Sequence, residues 1–176
     1  MKGVRTVCLT LGFAILAISV GSVSAHDKRK RDEVVSARLV GFEEVPSSLS
    51  TTGRGRFRAV IDEDAGLITY RLTYEGLVAV QQAHIHFGQR HTNGGISVFL
   101  CTNLGNGPAG TQACPGEAGE VSGEIMAVNV IGPAGQGIAA GEFAELLAAI
   151  RSGNAYANVH TTAFGGGEIR GQISGH

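Results

Sequence analysis

The stretch Leu67-Ile68-Thr69-Tyr70-Arg71-Leu72-Thr73-Tyr74 alternates apolar and polar side chains with a period of two. Because successive side chains of a β-strand point to opposite faces, this pattern is typical of a strand that is buried on one face. Residues 56–61 form a second strand-like run, and the acidic stretch 62–66, which ends in Ala-Gly, separates the two. The sequence therefore predicts a β-hairpin with its turn at residues 62–66.

Strand-like segments continue along the rest of the chain, at residues 34–40, 83–87, 96–100, 120–128, 156–160 and 168–173. Helical spacing is found at residues 141–150, where Phe143, Leu146, Leu147 and Ile150 stand at i, i+3, i+4 and i+7. Because strands follow this helix, we predict a crossover between strands. The 27 glycines supply turns between short strands, which is typical of a β-sandwich or barrel. The sequence predicts one all-β domain with one short crossover helix.

The N-terminus has the pattern of a targeting segment. A short positive region precedes an apolar run at residues 7–20 and the small-residue cleavage site Val23-Ser24-Ala25. The apolar run is shorter than the roughly 20 residues of a membrane span. We therefore predict a cleaved signal peptide at residues 1–25, a flexible charged start at 26–33 and a β domain at 34–174. An uncleaved N-terminal anchor is the alternative. The protein is expected to be exported, periplasmic or secreted, with no membrane span after cleavage.

The charge balance of the exported chain is slightly acidic. Removal of Lys2 and Arg5 leaves 12 basic and 15 acidic residues. This balance argues against nucleic-acid binding, which needs a clustered basic surface. The run Lys28-Arg29-Lys30-Arg31 is flanked by acidic residues and is interpreted as a solvated start of the domain. A protein or a surface polymer is the expected kind of partner.

Two cysteines, Cys101 and Cys114, remain after cleavage of the predicted signal peptide. An even number of cysteines in an exported protein predicts a disulfide bond. A pair of metal thiolates is the alternative. The spacing of the two residues is not that of a zinc knuckle, and thiols oxidise outside the cytosol.

Histidines alternate with small or apolar residues in two segments, AHIHFG at residues 83–88 and YANVHT at residues 156–161. Strand alternation puts His84 and His86 on one face, and it puts His160 opposite its apolar neighbours. Three imidazoles from two strands suit copper or zinc. The pattern predicts a metal site only if the two strands are neighbours that bring the imidazoles within about 4 Å of one another.

The other interpretation of these histidines is structural. In this interpretation they form hydrogen bonds across the strands, or with Glu168 and Arg170, and fix the register of the sheet. Asn158 shares their face and belongs to the same polar cluster. The neighbouring pair Glu43 and Glu44 is expected to point to opposite faces of a strand, which argues against a shared acid-base role.

Three blocks of sequence carry a family resemblance. They are LVGFEEVP at 39–46, AHIHFG at 83–88 followed by NGGI at 93–96, and LLAAIRSGNAYANVHT at 146–161 followed by GEIRGQI at 167–173. In this order they resemble the CHRD domain, first described in the developmental regulator chordin and also found in exported bacterial proteins. The resemblance covers residues 34–173. Ser47 and Gly165 stand where the family pattern has proline, and these changes affect loops only.

The resemblance implies an immunoglobulin-like or Greek-key β-sandwich or barrel, an exported location and no established activity for most bacterial members. We expect a non-catalytic exported binding or structural domain with a polar histidine cluster, and no catalytic residues are assigned. The alternative is a copper- or zinc-binding protein that uses His84, His86 and His160. Copper/zinc superoxide dismutase is similar in outline, but it needs more histidines and a bridging ligand.

Overall fold

The computed structural model describes Gly3 and residues 32–175. The predicted signal peptide and most of the predicted charged start lie outside the described residues. The strands are β1 (Glu33–Val40), β2 (Arg54–Asp62), β3 (Leu67–Glu75), β4 (Val80–Phe87), β5 (Gly95–Thr102), β6 (Gly119–Ile125), β7 (Ala155–Thr161), β8 (Ile169–Gln172) and β9 (Ser174–Gly175). One helix, α1 (Phe143–Arg151), lies between β6 and β7, and short 3-10 turns cover Gly41–Glu43, Ala127–Asn129 and Ala134–Gln136.

The strands form a single antiparallel sheet in the order β5-β4-β7-β8-β1-β2-β3-β6, with β9 added beside β1. The first and last strands of this order, β5 and β6, also approach each other, so the sheet curls into a nearly closed barrel. The predicted all-β fold with one short helix is confirmed for the described residues. Of the two predicted forms, the chain adopts the barrel.

Strand alternation fills the interior of the barrel with apolar side chains. Leu39, Phe57, Leu72, Ile85 and Ile169 are completely buried. The residues between these positions point to the outer side of the sheet, because successive strand side chains alternate. The outer side therefore carries nearly all the polar chemistry of the strands.

The predicted β2–β3 hairpin is confirmed. Asp62 pairs with Leu67 across the turn, and the Ala65 N–H donates to the Asp62 carboxylate at 2.9 Å. Gly66 closes the turn with a φ of 64°, a left-handed conformation that glycine adopts without a steric penalty.

The predicted bounds of the strands and the helix differ from the observed ones by one to three residues, and two of the differences have a local cause. The strand predicted at 120–128 ends at Ile125, because the Asn129 side chain accepts a hydrogen bond from the Met126 N–H at 2.8 Å and a 3-10 turn begins there. The helix begins at Phe143 and not at residue 141, because the Glu142 carboxylate accepts a bond from the Ala139 N–H and holds the preceding turn.

A disulfide bond joins Cys101 in β5 to Cys114 in the loop that leads to β6. The prediction from cysteine number is confirmed. The Asn103 amide binds both backbone groups of Cys114, at 3.0 and 3.1 Å. Closing a loop of this size stabilises the fold by roughly 3 kcal/mol. Among the described residues, no helix has the length and apolar character needed to cross a membrane.

Candidate metal centre

The three histidines lie together on the outer side of the barrel, because β4 and β7 are neighbouring antiparallel strands. His84 is paired with Asn158, and Gln82 with His160. The intervening residues Ala83, Ile85 and Val159 point into the core and are completely buried. The first part of the condition set by the sequence pattern, that the two strands be neighbours, is met. The 4.8 Å limit on the distances between the ligand nitrogens is wider than the approach of about 4 Å that forms its second part.

One ligand nitrogen from each of His84, His86 and His160 lies within 4.8 Å of the other two. The closest pair is His84 Nδ1 and His160 Nε2, at 3.1 Å. Two nitrogens bound to one tetrahedral ion at 2.0–2.1 Å lie about 3.4 Å apart. A pair at the 4.8 Å limit would therefore need to approach by about 1.4 Å to share an ion.

Backbone carbonyls fix the proton positions of two of the rings. His86 Nδ1–H donates to the Gly94 carbonyl at 2.9 Å, and His160 Nδ1–H donates to the Gly165 carbonyl at 3.1 Å. Since a carbonyl only accepts, each neutral ring carries its proton on Nδ1 and its lone pair on Nε2. Protein metal sites orient their histidine ligands with the same kind of outer hydrogen bond.

The ring of His84 completes the group. Its Nδ1–H donates to the lone pair of His160 Nε2. His84 Nε2 and His86 Nε2 are buried and have no hydrogen-bond partner among the described residues. An orphaned buried acceptor costs about 1–3 kcal/mol. A cation bound to His160 Nε2 would lie on the Nδ1 side of the His84 ring, so of the two nitrogens it would satisfy His86 Nε2 only, and the His84 Nδ1 proton would be displaced or move to Nε2.

Burial keeps the three imidazoles neutral. Desolvation, together with the neighbouring His160 and His86, lowers the pKa of His84 to about 2. Desolvation also lowers the pKa of His86 to about 4, against the opposing hydrogen bond to Gly94. The pKa of His160 is lowered by the same cause. Neutral imidazole is the form that binds metal ions, so the rings are ready for coordination at neutral pH.

Aromatic packing holds the rings in place. Phe99 packs edge-on against His84 with ring centroids 4.3 Å apart. Tyr156 stacks on His86 at 4.8 Å with nearly parallel planes, and the Arg170 guanidinium lies 3.5 Å from the Tyr156 ring centre. These contacts restrict the rotation of His84 and His86 while leaving their Nε2 atoms free.

Gly94 brings the covering loop close enough to bind His86. A Cβ atom at this position would lie 1.7 Å from the Phe87 carbonyl oxygen, so no side chain fits. The close approach allows the Gly94 carbonyl to accept the His86 proton and its N–H to donate to the Tyr156 hydroxyl at 3.1 Å. Glycine is required here for the approach of two backbone segments.

The predicted supporting residues Asn158, Glu168 and Arg170 are buried on the same side of the sheet, but they bind other partners. Asn158 donates to the Glu44 carboxylate at 2.6 Å and to the Ile169 carbonyl at 3.0 Å. Glu168 accepts bonds from the hydroxyls of Thr51 and Thr161, at 2.6 and 2.7 Å, and Arg170 donates to the Gln89 carbonyl at 3.2 Å. The hydrogen bonds anticipated from Glu168 and Arg170 to the histidines are not among those of the described residues.

Glu44 belongs to this cluster and was not singled out by the sequence pattern. It is 6% exposed, whereas Glu43 turns outward and binds Arg90 at 2.6 Å. Burial raises the pKa of Glu44 to about 7, against the opposing hydrogen bond from Asn158 and the attraction of Arg170. The two carboxylates separate as expected, but in a 3-10 turn and not in a strand, and a turn has no period from which burial is predicted.

A family model for the CHRD domain matches residues 35–173. The chain belongs to the CHRD domain family. The matched range contains all three histidines and both cysteines, and it extends from β1 to the end of β8. No curated protein and no solved structure matches the chain. Membership supports a non-catalytic domain, in agreement with the expectation from the sequence blocks.

Proposed function

We propose that this CHRD domain is an exported binding protein whose His84, His86 and His160 hold one copper or zinc ion. The observation that carries the proposal is the orientation of the rings. The Nδ1–H groups of His86 and His160 are held by backbone carbonyls, which leaves the lone pair of each ring on Nε2, and His160 Nε2 lies 3.1 Å from His84 Nδ1. Three neutral nitrogen donors are a ligand set that both ions accept.

A bound ion would supply a cross-link between β4 and β7 and leave a coordination position for a fourth ligand. The chain contributes the neutral tautomers, the ring orientation and a shell that limits access of water. Because such a site is assembled only by the folded chain, metal binding would stabilise the fold. The structural interpretation differs on this point, since it predicts stability without metal.

Export is the second part of the proposal. It is supported by the signal-peptide pattern of residues 1–25 and by the Cys101–Cys114 disulfide, which suits an oxidising compartment. Purified exported protein is expected to begin at His26, and N-terminal sequencing measures this directly. An N-terminus at Met1 in the exported fraction would contradict cleavage. A protein or a surface polymer remains the proposed kind of partner.

The metal proposal is tested by stripping purified protein with a chelator and titrating it with Zn²⁺ and Cu²⁺. We expect one ion per chain at saturation and a weakening of binding by about a hundredfold in His160→Ala, because loss of a mere hydrogen-bond partner of a metal ligand already costs about ten- to a hundredfold and this variant removes a ligand itself. Substitution with Co²⁺ gives an independent readout through the visible absorption of a nitrogen-bound ion.

His91→Asn is the matched control, because His91 is an exposed imidazole outside the cluster and asparagine tolerates its φ of 64°. This variant is expected to keep full metal affinity. Equal weakening in both variants would contradict the site. So would an absence of saturable binding in the wild type combined with a lower unfolding midpoint in His160→Ala, which is the outcome of the structural interpretation.

A further inference from the structure

The outer side of β1, β2 and β3 carries a cluster of arginines, here called the arginine face. Its members are Arg38 on β1, Arg54, Arg56 and Arg58 on β2, and Arg71 on β3, and all five are exposed. Alternation along β2 places its three arginines on one side about 7 Å apart. The strand register sets Arg38 directly opposite Arg56 and Arg71 directly opposite Arg58.

The arginine face is a local concentration of charge on an acidic protein. From residue 32 onward the sequence has eight basic residues, all of them arginine, and five belong to this face. The other three are engaged elsewhere. Arg90 binds Glu43, Arg151 binds Glu33 and Glu63, and Arg170 is buried against Tyr156. The formal net charge of −1 therefore conceals a strongly basic surface.

Folding alone does not account for this arrangement. Arg54 pairs with Glu75 at 2.9 Å and Arg71 pairs with Glu120. Arg38, Arg56 and Arg58 form no ion pair with any residue that the structure describes. Like charges directly opposite each other destabilise a strand pair, and a bound anion would remove this repulsion.

Arg38 lines two open grooves. One has a volume of about 400 Å³ and is lined by Arg54, Arg56 and Thr73. The other has a volume of about 410 Å³ and is lined by Phe42, Arg90 and Gln172. Phe42 is 69% exposed. The groove linings combine guanidinium groups, a hydroxyl, an amide and an exposed aromatic ring with the carboxylates of Glu43 and Glu75, each of which is paired with an arginine.

We infer that the arginine face binds an acidic polysaccharide, with carboxylate or sulfate groups on the arginines and sugar rings in the two grooves. The guanidinium fork binds planar or tetrahedral oxyanions through paired hydrogen bonds. Hydroxyl and amide groups suit sugar hydroxyls, and Phe42 offers a flat apolar surface to a sugar ring. Glu75 and Glu120 border the arginines, which disfavours the denser charge of a nucleic-acid duplex.

The inference is tested by calorimetric titration of the full protein at low ionic strength with three polymers: polygalacturonate, dextran sulfate and uncharged dextran. We expect binding to one or both acidic polymers, weakened by added salt, and none to dextran. Binding to polygalacturonate alone assigns the anion as a carboxylate, and binding to dextran sulfate alone assigns it as a sulfate. Failure of both acidic polymers to bind would overturn the inference.

Two substitutions on the arginine face distinguish a specific binding site from non-specific electrostatic attraction. Arg38→Gln and Arg56→Gln are each expected to weaken binding by about tenfold, since a hydrogen bond to a charged group contributes on this scale. Arg151→Gln makes the same change of charge away from the arginine face and is expected to have little effect. An equal loss in all three variants would overturn the site, and so would duplex DNA binding as tightly as the polysaccharide.

Phe42→Ala examines the second groove. It removes no charge, so we expect weaker polymer binding with an unchanged dependence on salt. Unchanged affinity in this variant would overturn the assignment of a sugar ring to that groove. The circular dichroism spectrum of each variant should match that of the wild type, which separates loss of binding from loss of folding.

Discussion

Two outer faces of the same barrel carry opposite chemistry. On β4, β7 and β8 the polar side chains are covered and the imidazoles are neutral, whereas on β1, β2 and β3 the arginines are open to solvent. Both faces arise from the same alternation of apolar and polar residues. The difference lies in the segments that cross them. Alternation decides which side of the sheet a residue occupies, and the covering segments decide its protonation and its partners.

The covering segments act through desolvation. The Gly94 and Gly165 carbonyls and the buried Glu44 lie over the histidine face, where burial lowers the pKa values of His84 and His86. No segment between residues 32 and 175 covers the arginine face, whose five arginines are exposed, so its charges are solvated and screened by salt. The covered histidines suit a small cation that is bound tightly, and the arginine face suits a large flexible anion.

Truncation of a histidine on the covered side of β4 and β7 is expected to change the free energy of unfolding most. His84→Ala removes a completely buried ring and leaves His160 Nε2 without its donor, so we expect a loss of about 3–4 kcal/mol in the free energy of unfolding. Urea denaturation measures this loss. Arg58→Ala, a truncation on the open face, should change the free energy by less than about 0.5 kcal/mol. Similar losses in both variants would contradict the contrast between the faces.

Neutralising the buried carboxyl should stabilise the protein at high pH. Glu44 has a folded pKa of about 7 against an ordinary value of 4.5, so the cost of burying this carboxyl grows from pH 4.5 to pH 7 and opposes folding in full above pH 7. Glu44→Gln keeps the acceptor for Asn158 and is expected to raise the free energy of unfolding at pH 8 by about 3 kcal/mol. The gain should disappear below pH 4.5, where the Glu44 carboxyl is neutral in both the folded and the unfolded state. A gain that persists at pH 4 would contradict the assignment.

The metal-free protein should lose stability as the pH falls. Because the folded pKa values of His84 and His86 lie below the ordinary 6.5, the unfolded chain takes up their protons first and unfolding is favoured below pH 6.5. From pH 6.5 to 5 the two rings cost about 3 kcal/mol and Glu44, whose proton is held in the folded state, offsets about 2. Urea midpoints across this range measure the net loss of about 1 kcal/mol. A urea midpoint that does not change with pH over this range would mean that the rings of His84 and His86 are solvated.

Removing the repulsion between arginines on the arginine face is expected to change the free energy of unfolding least. Arg58→Gln removes one of two opposed charges and should raise the free energy of unfolding by about 0.5 kcal/mol. Arg54→Gln is the control, because Arg54 already has Glu75 as a partner and its loss should bring no gain. Thermal unfolding at low salt measures both variants. A loss of stability in Arg58→Gln would indicate that the arginines support each other in the fold.

Part of this arrangement is predictable from the sequence. Period-two alternation correctly predicts the strand character of β3, β4 and β7 and the shared face of His84 and His86. The pairing of β4 with β7 is not predictable from alternation, because about seventy residues separate them and any strand order satisfies the pattern. Nor are the carbonyls of Gly94 and Gly165 and the burial of Glu44, which depend on how loops cross the sheet.

The arginine face shows a different limit of sequence analysis. The alternation of Arg54, Arg56 and Arg58 is visible in the sequence, but the net charge gives no sign of a basic surface, and the contiguous basic run lies elsewhere, at residues 28–31. Arg38 and Arg71 join the cluster only through the strand register. A basic surface on a sheet is assembled across strands, so counts along the chain underestimate it.

The central claim, that the covered histidines hold one metal ion, is tested most directly by X-ray absorption spectroscopy of the zinc-loaded protein. Three imidazole nitrogens at about 2.0–2.1 Å from the ion, reduced to two in His86→Ala, are the predicted result. A shell of oxygen atoms, or a spectrum unchanged by the substitution, would contradict the site and leave the histidines as a hydrogen-bonded part of the sheet.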